Sequence, residues 1–271
     1  MASMDWGIQS GSAPAIYQEF LVPAMFAPFA RRLVEHGDVR PGSRVLDIAC
    51  GTGVVSRTAA ILAGRGGSVA GVDLGEPTVA IARAHPAEEN AAPIDYAQAD
   101  AAALPFDAED FDVALCQQGL QFFPGRAAAL AEMRRVLKPG GRIALATWKD
   151  IEPPFSTIAD ALGRHVSTEA AQMMHSPFVL GDGTTLAQLM SDAGFREVAV
   201  IDETIECTWA SHPEFARLYI AASPIASVFT AAPSHSQQAV SDEVTERLAP
   251  HATADGSLRM PMSTNVAVGR A

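Results

Sequence analysis

From Arg44 onward, short apolar runs alternate with stretches whose apolar residues recur at helical spacing. "RVLDIA", "SVAGVD", "IDYAQAD", "FDVALCQQ" and "RIALATW" have the length and apolar content of strands buried on both faces. "VVSRTAAILAG", "EPTVAIARAHP" and "GRAAALAEMRRVL" each carry one apolar face, as amphipathic helices do. The "KPGG" after the last of these reads as a helix stop, with a proline and glycines just past the final turn. Strands alternating with helices predict a parallel sheet covered on both sides, hence a doubly wound α/β fold.

After Trp148 the rhythm changes. "IEPPFSTIADALGRHVSTEAAQMMHSPF" opens on a Pro-Pro break and continues with helical spacing and no strand. The α/β pattern returns with the helix "TTLAQLMSDAGF" and the strand "REVAVIDETIECTW", and helices follow over roughly residues 213–248. "LRMPMSTNVAVGRA" closes the chain as a strand, and Pro261 predicts an irregular or bulged start. The expected organisation over residues 1–271 is a single domain with a helical cap. Its core covers about 40–150, 184–206 and 257–271, and its cap about 13–37, 151–183 and 210–250.

Composition narrows the classes. The hydrophobic fraction of 48% is ordinary for a soluble globule. Every long apolar run is broken by Gly, Pro or charge short of the roughly 18 residues of a membrane span. The start, "MASMDWGIQSGSAP", lacks a basic segment leading into an apolar one, so no secretory signal is read and a cytoplasmic location is expected. Net charge is −12, with 19 Lys and Arg against 31 Asp and Glu. The largest basic cluster, "MRRVLKPGGR", is explained as a helix end, where cations suit the dipole, so no nucleic-acid partner is expected. Cys50, Cys116 and Cys207 are widely spaced without a CxxC pair, which argues for a reducing compartment and against structural zinc. The acids of "DAEDFD" sit at turn spacing without histidine partners, so no metal site is expected.

The chemistry concentrates in "VLDIACGTGVVSR", residues 45–57. In an open parallel sheet, ligands sit at the carboxyl ends of the strands, and a glycine turn there lets backbone approach a ligand closely. Asp73 ends the next strand, about 20 residues beyond the turn, where a carboxylate accepts hydrogen bonds from both hydroxyls of a ribose. Asp47, Gly51, Gly53 and Asp73 therefore form a candidate nucleoside site. A nicotinamide dinucleotide fingerprint reads GxGxxG and sets a pyrophosphate on the helix N-terminus. Here Val54, Val55 and Ser56 follow Gly53, the third glycine is missing, and Asp47 would repel a pyrophosphate. A carboxylate at that point suits an ammonium, a sulfonium or hydroxyls. The ligand is expected to be cationic there, with a nicotinamide-dependent oxidoreductase as the lesser alternative.

This arrangement resembles motif I and the following acidic motif of class I S-adenosylmethionine-dependent methyltransferases. The similarity extends through Asp100 in "AQADAAALPF" to "FDVALCQQGLQFF" and "EMRRVLKPGGRIALATW". It points to the small-molecule branch that includes the ubiquinone and menaquinone biosynthesis C-methyltransferases, and covers about residues 17–148 well and the rest in outline. The resemblance implies a Rossmann-like, mostly parallel seven-stranded sheet with an antiparallel last strand. It implies S-adenosyl-L-methionine as cofactor and S-adenosyl-L-homocysteine as product. Carried over by residue, Asp47 and the backbone of Ala49 and Gly51 take the methionine amino end. Asp73 takes the ribose diol, and Leu74 packs on adenine. Asp100 accepts from the adenine amino group, the Ala101 amide faces the ring, and Gln117 faces the methionyl portion. Ala49 departs from the glycine that many relatives have.

The implied activity is methyl transfer to carbon or oxygen of a small, largely apolar acceptor. Such an in-line displacement depends heavily on positioning. Tyr17 and Phe20 open an aromatic segment that either folds over the cofactor as a lid or packs on the sheet. Gln121, Phe122 and Phe123, just past the fourth strand, suit an acceptor wall. Trp148 reads equally as wall or core. Where the acceptor must lose a proton, His175 in "AAQMMHSPF" is the first candidate base, ahead of His165 and Glu169, against the plainer reading of a solvated or structurally bonded histidine. His212 before Pro213 reads as a helix start. "CQQG" lacks the Asn/Asp-Pro-Pro-aromatic motif of amino-directed nucleic-acid methyltransferases. The alternative within the same fold is an enzyme that binds the sulfonium and catalyses rearrangement or cyclisation without methylation. An apolar cap can also mediate a homodimer.

Overall fold

The structure, a computed structural model, describes residues 13–223 and 225–271. Residues 1–12, most of the stretch read for targeting, lie outside the described residues. The strands are β1 (Arg44–Ile48), β2 (Ser68–Asp73), β3 (Ile94–Gln98), β4 (Phe111–Gln117), β5 (Leu137–Trp148), β6 (Arg196–Trp209) and β7 (Leu258–Arg270). The helices of the first half are α1 (Ala13–Ile16), α2 (Ala27–His36), α3 (Val54–Ala63), α4 (Glu76–Ala84) and α5 (Arg126–Val136). Those of the second half are α6 (Pro153–His165), α7 (Thr168–His175), α8 (Gly183–Asp192), α9 (His212–Ala222), α10 (Ala226–Ala231) and α11 (Ser234–Leu248).

The seven strands form one sheet in the order β3-β2-β1-β4-β5-β7-β6. β1 through β5 pair in parallel, and β7 runs antiparallel to β5, from Arg142 opposite Arg270 to Trp148 opposite Thr264. Strand order reverses between β1 and β4, which is where such sheets bind ligands. Because both faces are covered, successive strand residues go to different cores. Val45 joins Leu33, Ala59 and Leu115 under α2 and α3. Its neighbour Leu46 joins Leu130, Met133 and Met190 under α5 and α8. Each large aliphatic side chain buried in this way contributes about 1.5–3 kcal/mol.

α5 stops at Val136, just before "KPGG", as expected, but that segment is no mere spacer. It does not separate α5 from a later strand but belongs to β5, which starts at Leu137. The pairing of β4 with β5 shifts between Phe111 and Val113, a bulge that absorbs the extra residues. The Gly140 amide donates to the Ala271 carbonyl at 3.2 Å and the Ala271 amide to the Gly141 carbonyl at 2.9 Å, so the chain end fixes the bulge. Pro261 lies inside β7, ahead of the part that pairs with β5 from Thr264 on.

The chain forms two compact units. The sheet unit holds residues 27–149, 180–203 and 263–271. Residues 27–36, counted with the cap from the sequence, fall in it: α2 buries Phe29, Ala30, Leu33 and Val34. The other unit includes residues 13–26, 150–179 and 204–262. Its N-terminal segment passes from α1 into a π-helix, Tyr17–Phe26, around Pro23, which has no amide hydrogen to give an α-helical ladder. Phe155 stands edge-on to Phe215 at 5.4 Å and to Tyr219 at 4.8 Å, and Trp209 meets Phe215 at 4.8 Å. Glu243 on α11 pairs with Arg164 and, at 2.8 Å, with His165 at the end of α6. Among the described residues no helix is long and apolar enough to cross a membrane.

Candidate active site

The turn after β1 is built to bring backbone to a ligand. Ala49 has φ 55°, Gly51 56° and Gly53 88°, all left-handed. Glycine takes this region freely, whereas alanine is strained there by about 1–2 kcal/mol. Gly53 is also required by space, since a Cβ would stand 2.3 Å from Tyr96 Oη. The Cys50 amide donates to the Val72 carbonyl at 2.9 Å, which draws the turn across the tip of β2.

Asp73 completes that connection. Its Oδ2 accepts from the Gly51 amide and its Oδ1 from the Gly75 amide, each at 2.9 Å. Each oxygen keeps a further lone pair, enough for a diol. Next to it Leu74 is 70% exposed, an apolar surface beside the acid, and Gln98 Nε2 donates to its carbonyl at 2.9 Å. The Ala99 amide donates to the Asp73 carbonyl at 3.0 Å, tying the exit of β3 to that of β2. Asp100 and Ala101 follow directly, and Asp100 Oδ1 accepts from the Ala102 amide at 2.9 Å.

Asp47 is buried at 1% exposure, and its Oδ2 accepts from Ser56 Oγ at 2.6 Å. Oδ1 is buried with no hydrogen-bond partner, and so is Thr52 Oγ1 in the same turn. Desolvation pushes the carboxyl up to about 7, and the charge of Asp73 adds to the rise while the Ser56 hydrogen bond opposes it. Leaving such an atom unpaired costs about 1–3 kcal/mol, more if charged. A cationic ligand group beside Asp47 would relieve that cost and return the acid to its charged form. The glycine cradle, the orphaned carboxylate oxygen and the diol-ready Asp73 thus fit the methionyl and ribose parts of S-adenosylmethionine.

The exit of β4 faces the same edge. Gln117 and Gln118 are buried, and Gln118 adopts φ 56°, rare for a residue with a side chain. The Gln118 amide donates to the Ala146 carbonyl at 2.9 Å, and its side chain continues to Thr264 on β7. Gln121, in the 3₁₀ turn Leu120–Phe122, is buried, and Phe122 is 52% exposed. Trp148 ends β5 buried, its ring edge-on to Phe29 at 5.3 Å. Asp47, Ala49, Gly51, Gly53, Asp73, Leu74, Asp100, Ala101, Gln117, Gln121, Phe122 and Trp148 all belong to the sheet unit, near the carboxyl ends of its strands.

Tyr17, Phe20 and His175 belong to the other unit. Tyr17 packs on Phe26 within the π-helix at 4.7 Å, and His175 is exposed at the end of α7. His165 is engaged by Glu243. His212 opens α9 after the Ser211 cap, with Nδ1 buried and unpaired. Burial pushes the Cys116 thiol up to about 12 and raises that of Cys50 as well, so neither is a ready nucleophile. Among the described residues no group of three or more His, Cys, Asp or Glu is arranged to hold a metal.

Ser56, Tyr96 and Gln118 hydrogen-bond to the candidate residues Asp47, Gly53 and Gln121, and Thr264 to Gln118, and none of the four is apparent from the sequence. A serine nine positions after Asp47 lies in the first turns of the helix that follows, so a hydroxyl at that spacing is the one signal present. The other residues arrive from separate strands or from a strained turn.

A family model described as a methyltransferase domain matches residues 46–145. The chain is 33% identical to the nocamycin O-methyltransferase of Saccharothrix syringae over 197 residues, 67% of this chain and 69% of that one. It is 33% identical to the ubiquinone/menaquinone biosynthesis C-methyltransferase of Cupriavidus pinatubonensis over 182 residues, 63% of this chain and 74% of that one. In fold it resembles the Haemonchus contortus phosphoethanolamine N-methyltransferase 2 solved with S-adenosyl-L-methionine. That match has a TM-score of 0.54 and 20% identity, and covers 90% of this chain and 52% of that one. With its glycine cradle, its paired strand-tip acids and these relatives, the chain belongs to the class I S-adenosylmethionine-dependent methyltransferases.

Proposed function

We propose that the chain binds S-adenosylmethionine and transfers its methyl group to carbon or oxygen of a small, largely apolar organic acceptor. The observation that carries this reading is Asp47, a buried carboxylate with one oxygen unpartnered, beside the glycine cradle and across from Asp73. When bound, the cofactor supplies a methyl group on a positively charged sulfur. Asp47, with the backbone of Ala49 and Gly51, holds the ammonium end. Asp73 accepts from the ribose hydroxyls, Leu74 covers one face of adenine, and Asp100 with the Ala101 amide takes the adenine edge. Gln117 orients the methionyl portion. Charge-assisted hydrogen bonds of this kind are about twice as strong as neutral ones, so the acids dominate affinity.

On the acceptor side, Gln121, Phe122 and Trp148 supply an amide and aromatic surface at the exits of β4 and β5. His175 is the group proposed to accept a proton when the acceptor carries one. The net charge of −12 opposes a phosphate-backbone substrate and favours a small molecule. The named relatives include one O- and one C-methyltransferase, so carbon and oxygen both stand as accepting atoms. A non-methylating rearrangement is less favoured, because those relatives are methyltransferases.

The test is incubation of the chain with methyl-labelled S-adenosylmethionine and a panel of phenols, quinols and polyketide-like compounds. The expected product carries the label, is heavier by one methylene and appears with S-adenosylhomocysteine. Conversion of an acceptor without gain of mass would instead support the non-methylating reading.

A further inference from the structure

Past the exit of β4, a row of buried polar side chains has its hydrogen-bond direction set from one end to the other. Thr264 Oγ1 donates to the Thr147 carbonyl at 2.7 Å, and a carbonyl can only accept. That hydroxyl has therefore spent its proton, and meets Gln118 as an acceptor: Gln118 Nε2 donates to it at 3.0 Å. The Gln118 amide oxygen is thereby turned to Gln121, whose Nε2 donates to it at 3.1 Å. Gln121 Oε1 remains, buried and without a hydrogen-bond partner, on a residue 3% exposed. Neither amide can reverse without setting oxygen against oxygen.

The backbone holds this arrangement in place. Arg126 donates from Nη2 to the Gln121 carbonyl at 2.9 Å and from Nε to the Leu120 carbonyl at 3.3 Å. Gln118 keeps its strained φ of 56°, and residues in sparsely populated backbone regions cluster at ligand sites. A buried acceptor oxygen with a single permitted orientation is suited to receive one donor group. The next residue, Phe122, is 52% exposed and offers a ring face or edge to a flat partner.

We propose that Gln121 Oε1 determines acceptor specificity by accepting a hydrogen bond from a hydroxyl carried on an aromatic ring, with Gln118 and Thr264 as positioning residues. This rests on the methyltransferase reading above. A neutral amide oxygen is far too weak a base to remove the proton, so Gln121 orients the hydroxyl and leaves it intact. Aromatic compounds whose hydroxyl is capped leave the oxygen unpaired and are rejected.

The experiment uses the full chain saturated with S-adenosylhomocysteine, its binding first measured by calorimetry, and titrated with 1-naphthol or with 1-methoxynaphthalene. The native chain binds 1-naphthol about tenfold more tightly or better. Gln121→Met brings the ratio within about twofold, as expected when the single accepting oxygen is gone. Thr264→Val narrows the ratio in the same direction and Thr264→Ser restores it, a rescue that simple loss of packing would not give. Equal affinity for the two probes, no binding of either, or discrimination retained in Gln121→Met overturns the proposal while leaving the methyltransferase reading intact. Failure of S-adenosylhomocysteine to bind overturns that reading instead.

Discussion

The methyl of Ala49 occupies the space that a side chain on Gly119 would need: a Cβ at Gly119 would lie 2.6 Å from Ala49 Cβ and 2.8 Å from Cys116 Sγ. The turns after β1 and β4 therefore interlock, and the glycine of one makes room for the alanine of the other. Gly119 has φ −103°, so alanine there suffers only the collision and no backbone strain. Gly119→Ala is expected to cost about 1–3 kcal/mol by overpacking. Ala49→Gly, which removes both the methyl and its left-handed strain, should recover part of that loss in the double variant. Urea midpoints of the two single variants and the pair measure the coupling, and simple additivity would contradict the contact.

Asp47 makes cofactor affinity depend on pH. Its carboxyl stands at about 7, raised first by burial. The folded chain thus keeps a proton that the unfolded chain releases near pH 4, so this group costs stability as pH rises from about 4 to 7. Ligand binding runs the other way, because an ammonium needs the carboxylate. Affinity for S-adenosylhomocysteine should rise roughly tenfold per pH unit below about 7 and level off above it. Calorimetry across that range checks the slope, and Asp47→Asn should flatten it. A flat native profile would remove Asp47 from the ammonium role.

Asp73 has two tasks that substitutions can separate. Asp73→Ala removes the anchors of the Gly51 and Gly75 amides and the proposed ribose contact together. Cofactor affinity should fall by about 1.5–3 kcal/mol with the fold retained by circular dichroism. Asp73→Asn keeps one accepting oxygen and should fall in between. Unchanged affinity in the alanine variant would contradict the ribose assignment.

In the other unit, Glu243 is held at about 2 by its hydrogen bonds with Arg164, His165 and Arg247. A lowered carboxyl stabilises the fold above its ordinary value near 4.5 and loses that contribution as pH falls toward 2. Because these partners are partly exposed, Glu243→Gln should cost only about 1 kcal/mol at neutral pH. The gap between native and variant urea midpoints should close by about pH 2. A gap independent of pH would mean that packing, not charge, is at stake.

Elements whose signal is local were legible in the sequence. β2 (Ser68–Asp73) and β6 (Arg196–Trp209) fall on the residues that apolar patterning marks. Asp47, the glycines and Asp73 were legible because a short turn carries the cradle and its acid partner ends the next strand. "KPGG" marks the end of α5 as expected, but that β5 already begins at Leu137 was not legible, because proline and glycine stop helices and mark bulges alike and the pairing with Ala271 is a property of the fold. In the N-terminal segment only α2 has a periodic signature, Phe29, Ala30, Leu33 and Val34 against Arg31, Arg32 and Glu35; the mostly apolar stretch Tyr17–Phe26, with Pro23 inside it, gives no sign of a π-helix. Tyr96 and Thr264 reach the site through sheet order, which places β3 and β7 where sequence distance gives no hint. The direction of the Gln121–Gln118–Thr264 row depends on which atoms spend their protons, a property of the folded contacts alone.

The central claim is that acids at adjacent strand tips hold a sulfur nucleoside by its ammonium group and its ribose hydroxyls, and calorimetric titration with S-adenosylhomocysteine at about pH 8 tests it most directly. The account predicts saturable one-site binding that Asp73→Ala weakens by roughly tenfold or more. NADH should give no heat. Binding of NADH in place of S-adenosylhomocysteine, or no binding of S-adenosylhomocysteine at high micromolar concentration, would contradict it.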